Sequence, residues 1–514
     1  MRKSLSIMSD VTRFPISFLR FLLLILAAVS SSAVDAAAAD RWEFTVQFSS
    51  SAHKEPYTGR VYLIFSQQLD EPRRGPGWFT PEQFLSVEVT DWQPDTPLTV
   101  SSSETDGVLT FPVPLEKMDL AGFRAQAVAR FNSWERRIGT GPGNGFSRTI
   151  TISQTGEQPK LVIDTLVPTP EFPENRWTKL LSVRSKLLSE FHGHDVFQNA
   201  AVILPQSYYE QPERRYPTIY TIPGFGGDHF RHVVKKPLSE DNPGGVEFIR
   251  VVLDPSCPLG HHVFADSANN GPRGQCLVEE FIPELERQYR AIGSPQARFV
   301  TGHSSGGWSS LWLQVAYPDD FNGTWSTAPD PVDFRDFQRI NLYQPGEDMY
   351  VDADGQPRPL ARINGAVRLW YKGFADMEWT LGPGGQLHSF EAVFSPRGED
   401  GKPLLVWDRS TGTVNTEVAK TWEKYDIRLI LERNWPELAP KLAGKLHVIM
   451  GDQDTFYLEG ATILLKESLE KIDADANIEI VSGRDHFNLL TQPLMLRIRR
   501  EMAERFLATQ EKQK

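Results

Sequence analysis

Residues 301–307 read TGHSSGG, with Ser304 between Gly302 and Gly306. A short apolar run (299–301) precedes it and an apolar helical pattern (308–316) follows it. A turn this tight between a strand and a helix strains the backbone of the central serine. Only very small residues two positions to either side avoid a clash there. The stretch therefore predicts an elbow that exposes the Ser304 hydroxyl as a nucleophile.

A serine hydroxyl needs a general base and an acid to orient that base. His486 follows the predicted strand 478–481 and is the one histidine that comes after every candidate acid. Two aspartates compete in the loop after the predicted strand 446–450. Asp454 lies three residues beyond Gly451, far enough along the loop to reach His486, whereas Asp452 is better placed to cap the turn. The order Ser304, Asp454, His486 is the chain order of this kind of site.

Acyl transfer also needs two N–H donors for the developing oxyanion. One is expected from Ser305, directly after the nucleophile, and the other from the loop PGFGG (223–227) after the predicted strand 218–222. Phe225 is the predicted second donor. Gly224 in this loop is expected to contact substrate, as are Asn269 and Asn270, which follow a strand on the same side of the sheet.

These motifs, together with EFIPELE at 280–286, resemble the putative esterase family, which includes esterase D, feruloyl esterases, enterochelin esterase and the mycolyltransferase antigens. The resemblance covers about residues 180–505. It implies an α/β-hydrolase fold and an acyl-enzyme mechanism that uses no metal or organic cofactor. Pro223 stands where family members often have histidine, which puts the geometry of the oxyanion loop in question.

Residues 177–510 alternate between short apolar strands and helical stretches such as 277–290, a pattern that predicts a doubly wound, mostly parallel sheet. The alternation breaks between about 331 and 440. An insertion at this place is predicted to act as a lid over the site. Lining a substrate cleft is one role for its five tryptophans, and forming the small core of the insertion is the role expected of most of them.

Residues 40–167 carry β patterns only. Trp42, Phe44, Val46 and Phe48 alternate with polar residues, and turn-rich stretches separate several short strands. This region is predicted to be an immunoglobulin-like β-sandwich. A proline-bearing stretch, 168–176, is expected to link it to the hydrolase domain.

Residues 1–39 place basic residues before an apolar run (21–29) and an alanine cluster (36–39), the order of a secretory signal peptide. The apolar run is short for a membrane span, although a retained anchor stays an alternative. The sequence therefore predicts export to the periplasm or the cell exterior. In such an oxidising compartment, Cys257 and Cys276, the only cysteines, are expected to form a disulfide.

The formal net charge of −12 argues against nucleic acid or an anionic membrane as a partner. The predicted activity is hydrolysis of a small-molecule or polysaccharide-linked ester by a chain whose oligomeric state is left open. Two alternatives remain at this point. One is an acyltransferase with the same three residues, and the other is a binding protein that keeps the hydrolase scaffold without catalysis.

Overall fold

The computed structural model describes residues 42–102, 107–153, 158–237 and 242–512. The predicted signal peptide, 1–39, lies outside the described residues. The described residues all belong to one compact unit. Within the described ranges, no helix combines the length and the apolar character needed to cross a membrane.

The N-terminal part of this unit is a nine-stranded sheet. Its strands are β1 (Glu43–Phe48), β2 (Tyr57–Ser66), β3 (Gln83–Trp92), β4 (Leu98–Ser101), β5 (Val108–Phe111), β6 (Arg124–Ala129), β7 (Gly145–Ser147), β8 (Ile150–Thr151) and β9 (Lys160–Leu166). They pair in the order β4-β1-β9-β7-β6-β2-β3-β5, with β8 beside β6. Phe44, Val46 and Phe48 point into its core, as their alternation predicts. The strands form one continuous hydrogen-bonded sheet, and the two facing layers of a sandwich stay a prediction.

The rest of the chain builds a second sheet and three short hairpins. These strands are β10 (Thr178–Ser185), β11 (Val196–Ile203), β12 (Thr218–Ile222), β13 (Ile249–Leu253), β14 (Ser256–Cys257), β15 (Gly260–His261), β16 (Asp266–Ser267), β17 (Gly271–Pro272), β18 (Arg298–His303), β19 (Thr324–Thr327), β20 (Pro359–Ile363), β21 (Ala366–Trp370), β22 (Leu446–Gly451) and β23 (Ala476–Val481). The central sheet has the order β10-β11-β13-β12-β18-β19-β22-β23. Its strands run parallel from β13 to β23, so the predicted mostly parallel sheet is confirmed.

Helices cover both faces of this central sheet. They are α1 (Lys186–His192), α2 (Arg273–Gln275), α3 (Ile282–Gln288), α4 (Ser305–Ala316), α5 (Tyr371–Leu381), α6 (Gln386–Phe394), α7 (Thr416–Thr421), α8 (Ile427–Leu442), α9 (Glu459–Lys471) and α10 (Gln492–Lys512). Successive side chains of a strand point to opposite faces. Phe299 of β18 accordingly packs in one core with Met502 of α10, and Val300 packs in another with Leu285 of α3. The predicted helix 277–290 consists of a π-helical turn, Cys276–Phe281, followed by α3.

Between β19 and β22 the chain adds the β20–β21 hairpin and helices α5 to α8, which share a core with the N-terminal sheet. The last carbonyls of a helix have no partner within it. At the end of α5 the N-terminal sheet supplies the missing donors. Arg60, Ser86 and Tyr62 donate to the backbone oxygens of Trp379, Thr380 and Leu381, at 2.9, 2.6 and 2.7 Å respectively. The two sheets are thus connected through the inserted segment.

Candidate active site

Ser304 lies at the junction between strand β18 and helix α4, with φ of 61° and ψ of −128°. A Cβ atom on Gly302 would come within 2.0 Å of the Gly306 backbone oxygen, and one on Gly306 within 2.0 Å of the Ile222 oxygen. Both glycines are therefore required by the packing. The Ser304 N–H donates to Thr327 at 3.0 Å, which helps to hold a backbone conformation that costs about 1–3 kcal/mol. The predicted elbow is present.

The loops after β22 and β23 bring Asp454 and His486 together. His486 Nδ1 lies 2.7 Å from Asp454 Oδ2, and both side chains are buried. Burial by itself lowers the pKa of His486, but the charge of Asp454 and its hydrogen bond outweigh burial and raise that pKa above its ordinary value. Asp452, the competing aspartate, instead accepts a 2.7 Å hydrogen bond from the Gly483 N–H.

His303, next to the nucleophile, supports the His486 loop. Its Nε2 donates to the His486 backbone oxygen at 3.0 Å, and the two imidazole rings lie 4.6 Å apart. Burial, together with the nearby charge of His486, lowers the pKa of His303 to about 3. The His303 ring is therefore neutral and helps to position His486.

The loop 223–227 approaches the nucleophile closely. A Cβ atom on Gly224 would lie 3.1 Å from the Ser304 Cβ, so only glycine fits here without displacement. Ser305 is the first residue of α4, and its N–H consequently has no acceptor within the helix. His261 Nε2 donates to the Pro223 oxygen at 2.9 Å. This contact supports the loop 223–227, whose geometry was in question because of Pro223.

The side chain of Phe225 lies between two residues of the N-terminal sheet. Its ring stacks on Trp78 with a centroid separation of 5.7 Å, and the Arg136 guanidinium lies 4.7 Å from the ring centroid. Arg137, next to Arg136, forms a 3.5 Å ion pair with Asp228. Loops of the N-terminal sheet therefore contact the loop that follows β12.

A cavity of about 520 Å³ opens over Ser304 and His486, and Gly224 and Phe225 also line it. Its walls are mostly apolar. They come from the N-terminal sheet, the inserted segment and the loops after β22 and β23, through Trp78, Phe79, Leu360, Phe374, Leu387, Phe390, Phe456, Leu458, Phe487 and Leu490. The insertion tryptophans, at 370, 379, 407, 422 and 435, are not in the lining. The N-terminal sheet contributes two aromatic walls that no local sequence signal indicated.

Asp330 is a second carboxyl group at this site. It lines the cavity although it is almost fully buried. Its Oδ2 accepts a 2.5 Å hydrogen bond from the Ser305 hydroxyl and a 3.3 Å bond from Gln386. Burial raises the pKa of Asp330 to about 6, against the opposing effect of the Ser305 hydrogen bond.

The structure corrects two groups of predicted residues. Asn269 and Asn270 are buried outside the cavity, and their amide groups donate to the backbone oxygen of Ala392, so the predicted contact with substrate is wrong. The predicted disulfide is also wrong, because Cys257 and Cys276 are both free and buried. The Cys257 thiol bonds to Asn270, whereas Cys276 packs against Leu188 and Val196 at α1 and β11.

In the described part of the chain, no group of three His, Cys, Asp or Glu residues is arranged to hold a metal ion.

A family model described as "Putative esterase" matches residues 197–459. No curated protein matches the chain. Similar solved structures include a ferulic acid esterase, with 14% identity and a TM-score of 0.39 over 64% of this chain and 100% of that one. An S-formylglutathione hydrolase from Agrobacterium tumefaciens has 14% identity and a TM-score of 0.38, over 64% of this chain and 95% of that one. The fluorophosphonate-binding serine hydrolase F of Staphylococcus aureus has 13% identity and a TM-score of 0.37, over 63% of this chain and 98% of that one.

Proposed function

The chain belongs to the putative esterase family and is a carboxylic ester hydrolase, and on this premise we propose that it acts through an acyl-enzyme on Ser304. His486 is the general base, and Asp454 is the acid that orients it. The observation that carries this proposal is the buried 2.7 Å contact between His486 and Asp454, beside a strained serine that opens into the same cavity.

The contact between Asp454 and His486 supports a definite distribution of protons. A carboxylate at Nδ1 requires the proton on that nitrogen, so the lone pair of Nε2 is free to accept the Ser304 proton. The Ser304 oxygen then attacks the ester carbonyl carbon, and its proton passes to His486. When the tetrahedral intermediate collapses, His486 returns the proton to the departing alcohol. A water molecule activated by the same imidazole releases the acid from Ser304.

The oxyanion of both tetrahedral intermediates is assigned to the backbone N–H groups of Ser305 and Phe225. Helix α4 leaves the Ser305 N–H without an intrahelical acceptor, and the close approach of Gly224 brings the second loop to the nucleophile. Fixed donors of this kind stabilise charge where it develops, and removing one typically slows the reaction by about 10²–10³.

The cavity walls favour an ester with an apolar group of substantial size, because aromatic and aliphatic side chains surround the nucleophile. The inserted segment between β19 and β22 serves as the lid in this proposal, and a β-sandwich precedes the hydrolase domain. The order of residues in 1–39 supports export. N-terminal sequencing of protein recovered outside the cytoplasm tests that last point, and an intact residue 1 there would contradict signal cleavage.

Labelling with a fluorophosphonate probe tests the role of Ser304. S304A is expected to lose the label while keeping its far-ultraviolet circular dichroism. S310A is the matched control, because Ser310 lies in the same helix α4, is buried, and donates its hydroxyl to the Gly307 oxygen. It is expected to label like the wild type. Labelling of S304A at the wild-type rate would contradict the proposal.

A further inference from the structure

A second cavity, of about 550 Å³, opens elsewhere on the chain and shares no lining residue with the one over Ser304. It lies where a loop of the N-terminal sheet, strand β11, the β14–β15 hairpin and the start of α2 meet. The lining consists of Trp134, His194, Asp195, Val196, Phe197, Asn199, Ser256, Cys257, Pro258 and Arg273. The proposed ester cleavage uses none of these residues.

The distinctive group of this cavity is the guanidinium of Arg273. Only 3% of Arg273 is exposed, although it lines the cavity. Its Nε donates to the backbone oxygen of Asn270 at 3.0 Å. Within the ranges that the structure describes, no carboxylate forms an ion pair with it, and neither Nη group has a hydrogen-bond acceptor. An arginine stays charged in a protein, and a buried charge without a partner costs several kcal/mol.

The neighbouring acids are already paired with other groups. Asp254 lies 3.1 Å from the Nδ1 of His229, and Asp195 pairs with Arg184 at 2.6 Å. The thiol of Cys257 is not a counter-charge either, because burial raises the pKa of Cys257 and keeps it neutral. The two Nη groups of Arg273 are therefore donors that an acceptor in the cavity can satisfy.

We propose that this cavity binds the carboxylate of a small, ring-bearing monoanion, held by the two Nη groups of Arg273. A guanidinium fork matches a carboxylate in two parallel hydrogen bonds. The rings of Trp134 and Phe197, which are 38% and 49% exposed, offer apolar faces for the ring of the ligand. Among the lining residues Arg273 is the only arginine or lysine, so it balances the single charge of a monoanion but not the two charges of a dianion such as phosphate.

Isothermal titration of the full chain tests the proposal with two carboxylates and their neutral counterparts. The probes are benzoate against benzamide, and D-glucuronate against D-glucose, with inorganic phosphate as a further anion. At least one carboxylate is expected to bind about tenfold or more tightly than its neutral counterpart, as charge-assisted hydrogen bonds provide. Preference for benzoate would identify an aromatic acid as the ligand class, and preference for glucuronate a sugar acid.

Three variants locate the binding. R273Q is expected to weaken the favoured carboxylate at least tenfold and to erase its advantage over the neutral probe. R397Q makes the same charge change at an arginine that stacks on Phe191 outside the cavity, and is expected to bind like the wild type. W134A removes a ring face and is expected to weaken the carboxylate and the neutral counterpart together. This variant tests the site even where R273Q fails to fold.

Several results would overturn the proposal. One is equal affinity for benzoate and benzamide together with equal affinity for glucuronate and glucose. Another is carboxylate binding that survives in folded R273Q, or that is unchanged in W134A. Tighter binding of phosphate than of either carboxylate would contradict the monoanion assignment, and no binding of any probe at millimolar concentration would contradict the site.

Discussion

His486 Nδ1 and Asp454 Oδ2 lie 2.7 Å apart and bridge the loops that follow the last two strands of the central sheet. The Asp454 Oδ1 atom accepts a second hydrogen bond, at 2.8 Å, from the Phe456 N–H. The carboxylate is therefore fixed by its own loop before it orients the imidazole. Asp454 therefore contacts the proposed base, whereas Asp452, two residues earlier in the same loop, bonds to Gly483.

D454N is expected to lower kcat by roughly 10⁴, because an amide cannot hold the imidazole in the required tautomer. D452N makes the same change two residues away, at a side chain that accepts a hydrogen bond from the Gly483 N–H. Its kcat is expected to fall by less than about tenfold. Steady-state hydrolysis of p-nitrophenyl acetate measures both, and a larger loss in D452N would contradict the assignment.

The pH profile of kcat/KM is expected to fall on the acid side with a midpoint above the ordinary histidine pKa of about 6.5. The proposed base must be neutral to accept a proton, and the charges of Asp454 and Asp330 both raise the pKa of His486. In D330N one of these negative charges is gone, so the acid-side fall of kcat/KM, here called the acid limb, is expected to move to lower pH. D376N, an exposed carboxylate paired with Lys372, is the matched control and should leave the limb in place. A limb that stays fixed or moves upward in D330N would contradict this coupling.

Trp78 is expected to govern substrate choice although it belongs to the N-terminal sheet. It contacts Phe225, Phe374 and Phe456 around the cavity. W78A is expected to shift the ratio of kcat/KM between bulky and small p-nitrophenyl esters by about tenfold, or ~1.4 kcal/mol in transition-state binding. The exposed Trp370, outside the lining, provides the control W370A, which is expected to keep the wild-type ratio. An unchanged ratio in folded W78A would show that the N-terminal sheet takes no part in selectivity.

Y62F is expected to lower the free energy of unfolding by about 1–2 kcal/mol, because the Leu381 carbonyl at the end of α5 loses its 2.7 Å donor within a buried contact. Y209F removes a 2.6 Å hydrogen bond to Arg176 at a half-exposed site, where water replaces the hydroxyl. Urea unfolding is expected to show little change for Y209F. Equal effects of the two variants would contradict the bracing of the insertion by the N-terminal sheet.

The elbow and the mostly parallel sheet were predictable because their signals are local. Sterics require glycine at 302 and 306, and both positions lie within one seven-residue stretch of sequence. The Asp454 loop directly follows an apolar strand. Turn chemistry favoured Asp454 over Asp452 as the aspartate that reaches His486, and the structure has that contact.

The features that could not be predicted depend on contacts between distant segments. Trp78 reaches the cavity from the loop between β2 and β3 of the N-terminal sheet, and nothing in its local sequence indicates this. Asp330 is distant in sequence from Asp454 and His486, and only its burial beside Ser305 makes it part of the site. Cys257 and Cys276 are near in sequence, yet their loop folds so that one thiol faces Asn270 and the other packs near β11. The spacing of the two cysteines in the sequence does not show which way each thiol points.

Trapping the acyl-enzyme tests the central proposal most directly. The full chain is mixed with p-nitrophenyl acetate, quenched in acid within milliseconds to seconds, digested and analysed by mass spectrometry. The account predicts one acetyl group on the peptide that contains Ser304, with a matching burst of p-nitrophenol and no adduct in S304A. An acetyl group on another residue, or turnover by S304A at the wild-type rate, would contradict it.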